Sequence, residues 1–488
     1  MGKILNNLEG RKKHQKIGFI IGVALFLIMQ FLPTPSGLDE VAYKVVTVSI
    51  LMIIFWMTEA IPLAATAVLP ILLFPILGIT GAKSQNDVQL FSLYGYKTIF
   101  LVLGAGFLAT AMQRWGLHRR LALFIVKSVG SNLKNIIFGF ALAIGFVSMW
   151  MSNTTATVMM LPVAISVITA LEGEIEDGFG KALMLCIPFS ATLGGMATAI
   201  GTTTNPTGIG IISETLGYEI DFLGWLKIGL PFAIVMVPVC CYLLIKLFKV
   251  DKMENINVSV IEEEYKALGP VNKGEKLTSL IFAFGIIAWV SSVWWKKYIP
   301  FATDETVAIC IAILTLIIPV EWKKGVMVLQ GKEAFADAPW TTMLLLAGSM
   351  VMGNAITSTG VAGWIADMFT GLSGMPSLAI IIIVSVVTAL LTEVTTNAVV
   401  VAAFLPILAG VAKGIGMDPL QLMLTCMIAS NFAFMLPAGT PPNAIAYSSG
   451  KIESADMIRA GLVVKIAALI IGPIIMQLIT FGILKVGL

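Results

Sequence analysis

SMWMSNTTATVMMLP at residues 148–162 and LTEVTTNAVVVAAFLP at residues 391–406 decide how this chain is read. Both are apolar runs interrupted by a hydroxyl-asparagine step, Ser152-Asn153-Thr154 in the first and Thr396-Asn397 followed by Ala398 in the second. Working outward, residues 98–162 lie over 342–406 without a gap at a constant offset of 244 (342 − 98), which pairs Thr98 with Thr342, Gly104 with Gly348, Gly116 with Gly360, Asn153 with Asn397 and Pro162 with Pro406. A second motif repeats as well. Gly201-Thr202-Thr203-Thr204-Asn205 and Gly439-Thr440-Pro441-Pro442-Asn443 share G-T-x-x-N at an offset of 238 (439 − 201). Paired, Gly/Pro-interrupted apolar segments at corresponding places in two halves point to a transport site near the bilayer midplane. A single Asn or Thr in such a run more often caps a helix or bonds a neighbour. Recurrence of both motifs in the same order is what favours a site.

The chain is 58% hydrophobic and 12% charged, with a mean hydropathy of +0.94. Soluble domains carry about 25% charged residues, so this chain belongs in a bilayer. Runs such as Ile17 to Leu32, Ile99 to Met112, Leu230 to Ile245 and Leu277 to Trp295 have spanning length. The expected fold is an all-α polytopic membrane protein with about eleven transmembrane helices and two re-entrant hairpins. Lys3, Arg11, Lys12, Lys13 and Lys16 precede the first run and no clean cleavage site follows, which predicts a retained span and a cytoplasmic N-terminus in the cytoplasmic membrane. That orientation also puts Arg114, Arg119, Arg120, Lys127, Lys323, Lys324 and Arg459 inside, while Lys296 and Lys297 fall outside.

Several function classes are excluded by inventory. The net charge of +3 is spread over span ends without interleaved aromatics, which leaves no footprint for nucleic acid. Cys186, Cys240, Cys241, Cys310 and Cys426 lie in apolar runs without a C-x-x-C, so neither a disulfide framework nor structural zinc is expected. The two histidines, His14 and His118, sit in basic segments, which excludes a His-based catalytic triad or haem ligation inside the membrane. No nucleotide-binding motif suggests a pump, and no organic cofactor is implied. The expectation is a carrier and not an enzyme.

The one long polar connector, 250–276, separates the halves; its Glu262, Glu263 and Glu264 read as a solvated face, as does the acidic stretch 172–177. With an odd number of crossings in each half, the second enters the membrane from the opposite side, giving inverted repeats. Pro441-Pro442 cannot continue a helix, so the chain stops and restarts there with free N–H groups at the restart. Asn153 with Thr154, and Thr396 with Asn397, suit the first turn of a hairpin's second helix, where the dipole favours a negative guest. Four such helix starts would hold an anion without a buried arginine. The same polar oxygens suit sodium: Ser148, Ser152, Asn153 and Gly201 in one cage, Thr392, Thr395, Asn397 and Gly439 in another. Glu59 and Glu393 lie deep in apolar sequence and raise a proton-coupled alternative.

Five stretches carry a resemblance: WMTEAIPLAATAVLP at 56–70, RWGLHRRLAL at 114–123, SNTTATVMMLP at 152–162, LTEVTTNA at 391–398 and SNFAFMLPAGTPPNAIAYSSG at 430–450. Across nearly its whole length the chain resembles the divalent anion/sodium symporter family, the INDY-type di- and tricarboxylate transporters. The resemblance implies a homodimeric elevator embedded in membrane lipid. Segments 34–125 and 277–370 would form its scaffold, 126–249 and 371–488 its transport domain, with 1–33 a peripheral first helix. It also implies a small C4 or C5 dicarboxylate as substrate, of the succinate, malate, fumarate or 2-oxoglutarate class, carried by sodium symport or by exchange. Its substrate contacts fall on Asn153, Thr154, Thr202, Thr396, Asn397, Thr440 and Pro441, and its sodium sites on the two cages above. Two departures stand out. Ala398 replaces a hydroxyl residue of the usual S-N-T motif, and Thr203-Thr204 replace both prolines of the first G-T-P-P-N motif.

Overall fold

The computed structural model describes residues 12–79, 90–130, 132–171, 177–250, 259–299, 301–372 and 374–478. Lys3, Arg11, the acidic residues 172–176 and the connector residues 251–258 lie outside them. The described chain is helical almost throughout, because in hydrocarbon each backbone N–H and C=O must be bonded within its own segment. Seven described helices are long and apolar enough to span: Lys13–Phe31, Glu40–Thr58, Ser92–Arg114, Asn153–Ala170, Phe222–Leu247, Asn397–Ile415 and Ser454–Met476. Shorter apolar helices cover Leu63–Ile76, Leu133–Ser148, Ser377–Leu391 and Pro419–Ala429, while Trp340–Ser358 and Val361–Phe369 meet at 72°. Among the described residues the only sheet is a two-stranded ribbon, Pro319–Glu321 against Val326–Met327.

Residues paired in the sequence overlay do the same work in space. Gly116 and Gly360 both take positive φ, 73° and 83°, and each starts the next helix after a sharp turn that a β-carbon would strain. Gly104 lets the Lys97–Arg114 helix approach the backbone of Ala308, where an added methyl would lie 2.8 Å from Ala308 Cβ. Gly348 does likewise at Ala67, where a methyl would lie 2.8 Å from its Cα.

Two helices stop short inside the bundle. Asp177–Gly195 ends and the chain restarts at Thr204, and Pro419–Ala429 ends with the restart at Pro441. The halves interlock through these restarts: Thr204–Leu216 packs on Trp340–Ser358 and Asn397–Ile415, while Pro441–Ser448 packs on Asn153–Ala170 and Asp177–Gly195. Each restart therefore lies against the second hairpin helix of the other half, Asn397–Ile415 or Asn153–Ala170.

The solvated face expected of the acidic connector holds at Glu262 and Glu263, which are exposed, while Glu264 is half-buried; within it Glu262 pairs with Lys127 at 3.3 Å and Glu264 with Arg119 at 2.5 Å. The acidic connector is clamped to the basic helix Leu117–Ser128, with Arg120 bound to the buried Glu275 beside it. Opposite charges some 140 residues apart (264 − 119 = 145) meet because the connector folds back as the helix Ser259–Ala267.

Overpacking a tight crossing costs about 1–3 kcal/mol. Gly104→Val and Gly348→Val should each lower the melting midpoint of the purified protein by several degrees. Gly363→Val, with no atom near the added carbon, should leave it unchanged in the same fluorescence melt.

Candidate functional site

The hairpin tips come first. The Leu133–Ser148 helix ends five residues before Asn153 opens the next one (153 − 148 = 5), with Ser152 as N-cap accepting from Thr155 N at 3.2 Å. Across the tip Ser148 Oγ donates to Asn153 Oδ1 at 2.6 Å. The second tip repeats this bond: Thr392 Oγ1 lies 2.7 Å from Asn397 Oδ1, and 2.6 Å from the Ser430 carbonyl. In both, the amide oxygen is turned back into the hairpin, which leaves the amide N–H groups facing away from it. The tips differ in their first turns. Thr154 and Thr155 offer two hydroxyls, whereas Ala398 and Val399 offer none, and the Thr396 hydroxyl oxygen is buried without a bonding partner.

The breaks in the other two helices come next. Thr440 caps the second restart, its hydroxyl accepting from Asn443 N at 3.3 Å, with prolines at the first two helical positions where no N–H is needed. The first restart has no proline before its asparagine; its one proline, Pro206, follows Asn205. There Asn205 holds the chain open, its Nδ2 donating to the carbonyls of Gly195 at 3.2 Å and Thr198 at 2.6 Å. Asn443 bonds the equivalent carbonyls of Ala433 and Leu436, at 3.0 and 3.1 Å. The asparagine closing each G-T-x-x-N motif is thus the clasp of its own break. Sequence reasoning noted the motif but assigned Asn205 and Asn443 no role.

All four helix starts, at Asn153, Thr204, Asn397 and Pro441, border one cavity of about 580 Å³. Asn153, Thr154, Thr202, Thr396, Asn397, Thr440 and Pro441 all line it, as do Ser152, Gly201 and Gly439. Ser148, Thr392 and Thr395 are buried behind the tips and do not reach it. The far wall is built by Val102, Ala105, Gln113, Pro339 and Thr341. Among the described residues no Lys or Arg lines the cavity, and Asp337 is its one charged side chain. A negative guest would therefore be held by backbone N–H groups, hydroxyls and amides at helix N-termini.

Oxygen atoms gather beside the first tip. A methyl built on Gly195 would meet Asn153 Oδ1 and lie 3.1 Å from the Gly201 carbonyl oxygen, and one on Gly201 would lie 2.8 Å from the Ser148 carbonyl oxygen. Hard neutral oxygens crowding a space that a β-carbon would fill fit a small monovalent cation. Gly195, which borders these oxygens behind the cavity wall, is a residue that the sequence did not single out. Beside the second tip the cradle differs: a methyl on Gly439 would lie 3.1 Å from Glu393 Oε2 and 3.6 Å from the Glu393 carbonyl oxygen. Among the described residues no three His, Cys, Asp or Glu side chains gather as a metal site.

The two suspect acids have separate fates. Glu59 is exposed at the end of the Glu40–Thr58 helix, in the left-handed conformation with φ 49°. Glu393 is 5% exposed and fully engaged: it accepts from the backbone N–H of Phe434, Met435 and Leu436, each at 3.0 Å, and pairs with Lys465 at 2.6 Å. Neither acid lines the cavity.

Comparison with known proteins adds the following. The family model of the sodium:sulfate symporter transmembrane region matches residues 13–484. A sodium-dependent dicarboxylate transporter of Staphylococcus saprophyticus, SdcS, is 32% identical over 472 residues, covering 94% of this chain and 90% of that protein. Its Staphylococcus aureus counterpart is 34% identical over 470 residues, covering 94% and 89%. A solved structure of Neisseria gonorrhoeae MtrF, described as illuminating a class of antimetabolite efflux pumps, superposes with a TM-score of 0.53 at 12% identity over 96% of this chain and 95% of that one. That likeness concerns the fold alone.

Because a methyl at Gly195 would push on the Asn153 amide, Gly195→Ala should fold yet lose most of any sodium-dependent rise in melting midpoint. Gly180→Ala, where the nearest atom would be 3.6 Å away, should keep it.

Proposed function

The chain belongs to the sodium:sulfate symporter family of membrane transporters, and from that premise we propose that it carries C4 or C5 dicarboxylates together with sodium. The observation that carries this reading is the convergence of four helix starts on one cavity that, among the described residues, no basic side chain lines. A dicarboxylate brings two negative groups to such a space. One carboxylate would sit at the first turn of the Asn153 helix, the other at that of the Asn397 helix, with Thr202 and Thr440 closing the sides. The relatives described as sodium-dependent dicarboxylate transporters support the same substrate class.

The two asparagines suggest how the fluxes are linked. Each amide oxygen already faces hairpin oxygens, so a cation bound there would fix the amide plane and present its N–H groups to the carboxylate. Cation and anion would then each raise the affinity for the other by the same factor, as linkage requires. In this reading 34–125 and 277–370 form a scaffold and 126–249 and 371–488 a moving transport domain, arranged as inverted repeats in a homodimer. The N-terminus is cytoplasmic, on the side of Lys12, Lys13 and Lys16. The engagement of Glu393 by Lys465 and three N–H groups speaks against a proton relay there.

Ala398 makes the two carboxylate seats unequal. The second lacks a hydroxyl where Thr154 supplies one in the first, so Ala398→Thr should lower the KM for succinate several-fold, one added hydrogen bond to a charged group being worth about 1.5–3 kcal/mol at most.

Reconstituted vesicles test the whole reading, with and without internal succinate, crossed with and without a sodium gradient. Sodium-driven uptake into empty vesicles is expected. Uptake that requires internal succinate and ignores sodium would replace symport by exchange. Asn153→Asp and Asn397→Asp, which set a carboxylate against a carboxylate at a cost of several kcal/mol, should each cut uptake by more than about a hundredfold while leaving folded protein. Full activity in both would remove the site.

A further inference from the structure

The two cation cradles are built from equivalent backbone but braced by opposite chemistry. Carrying the 244-residue offset of the hairpins back from Glu393 gives Met149. In the last helices the offset is 232 (461 − 229), since Gly229 packs on the carbonyl oxygen of Met196 and Gly461 on that of Phe434. Lys465 therefore corresponds to Ala233. Where the second half has a buried ion pair, the first half has a methionine and an alanine.

The consequences are visible in the broken segments. In the first, the indole N–H of Trp225 donates to the Met196 carbonyl at 3.0 Å, and Thr198 donates to the Met149 carbonyl, so donors brace the break. In the second, the equivalent stretch 434–436 turns its N–H groups to the Glu393 carboxylate. Lys465, 3% exposed, closes the set by donating to the Ala389 carbonyl at 2.8 Å on the helix before the tip. One carboxylate thus ties the hairpin, the break and the last helix together, with Oε2 beside Gly439. Removing a side chain that orients metal-holding groups from behind costs about 10–100-fold in metal affinity.

We propose that Glu393 and Lys465 are positioning residues for the second cation, giving the cradle of Thr392, Asn397 and Gly439 a charged brace that the first cradle lacks, so that the two cations bind with unequal dependence on this pair. This rests on the sodium-coupled reading above. Glu393 does not touch the dicarboxylate and acts only through the backbone it holds.

The test uses the full chain with two readouts. In vesicles, Glu393→Gln should raise the half-saturating sodium concentration by about tenfold or more and lower the Hill coefficient toward one, while the succinate KM at saturating sodium stays within about threefold of its original value. In detergent, without succinate, the sodium concentration giving half of the melting shift should rise by the same factor. A second variant covers misfolding of the first: Glu393→Met with Lys465→Ala copies the first half, and apolar replacement of a buried ion pair is often tolerated. It should fold and still show the weakened sodium response. Sodium curves matching the unsubstituted protein in either folded variant overturn the inference alone, as does loss of folded protein in both, which would make the pair a stability element. Sodium-independent uptake and melting by the unsubstituted protein would remove the sodium-coupled reading and this inference with it.

Discussion

A helix opened inside a bilayer exposes N–H and C=O groups that no water satisfies, and the rest of this structure follows from how it answers that cost. Both breaks are answered from within. Asn205 and Asn443 bind the carbonyls freed where the chain stops, and Glu393 binds three of the N–H groups freed in the second break. What remains free at the helix starts is turned to a single cavity. Polar backbone there is exposed to a guest and not to lipid. The clasps thus set where the cavity lies, and in the proposed reading they also set the charge of its guest.

The chemistry that results is unusual for an anion site only in what it omits. An arginine would bind a dicarboxylate tightly, but its desolvated charge would have to cross with the empty carrier or be neutralised. Helix starts give partial positive charge without a net charge to bury. In the proposed sodium-coupled reading, net charge compensation would fall to co-bound cations, for which the Ser148, Gly195 and Gly201 carbonyls and the Asn153 amide offer hard oxygens. In that reading, site and coupling would be two faces of the same two amides.

Much of this was legible in the sequence because the repeat is internal to it. Asn153 and Asn397, the G-T-x-x-N motifs and the seven residues assigned to a guest are local features whose periodicity and proline content carry their meaning. Other features depend on distance. Lys465 reads as a lone basic residue in a span until folding brings it to Glu393, 72 positions earlier (465 − 393). Gly195 is one of 45 glycines, and only the approach of Asn153 marks it. The first motif lacks both prolines before its asparagine, and there Asn205 holds the break open through the Gly195 and Thr198 carbonyls. The ion partners of the acidic connector, Arg119 and Lys127, lie beyond any local window.

The central claim is that the amides of Asn153 and Asn397 stand between cation and carboxylate. A structure determined by electron cryomicroscopy with succinate and sodium tests it most directly. The account predicts elongated density bridging the first turns of the two hairpin helices, with each amide nitrogen within hydrogen-bond reach of a carboxylate oxygen and each amide oxygen facing a cation. Succinate density elsewhere in the bundle, or amides flipped so that their oxygens face the carboxylates, would contradict it.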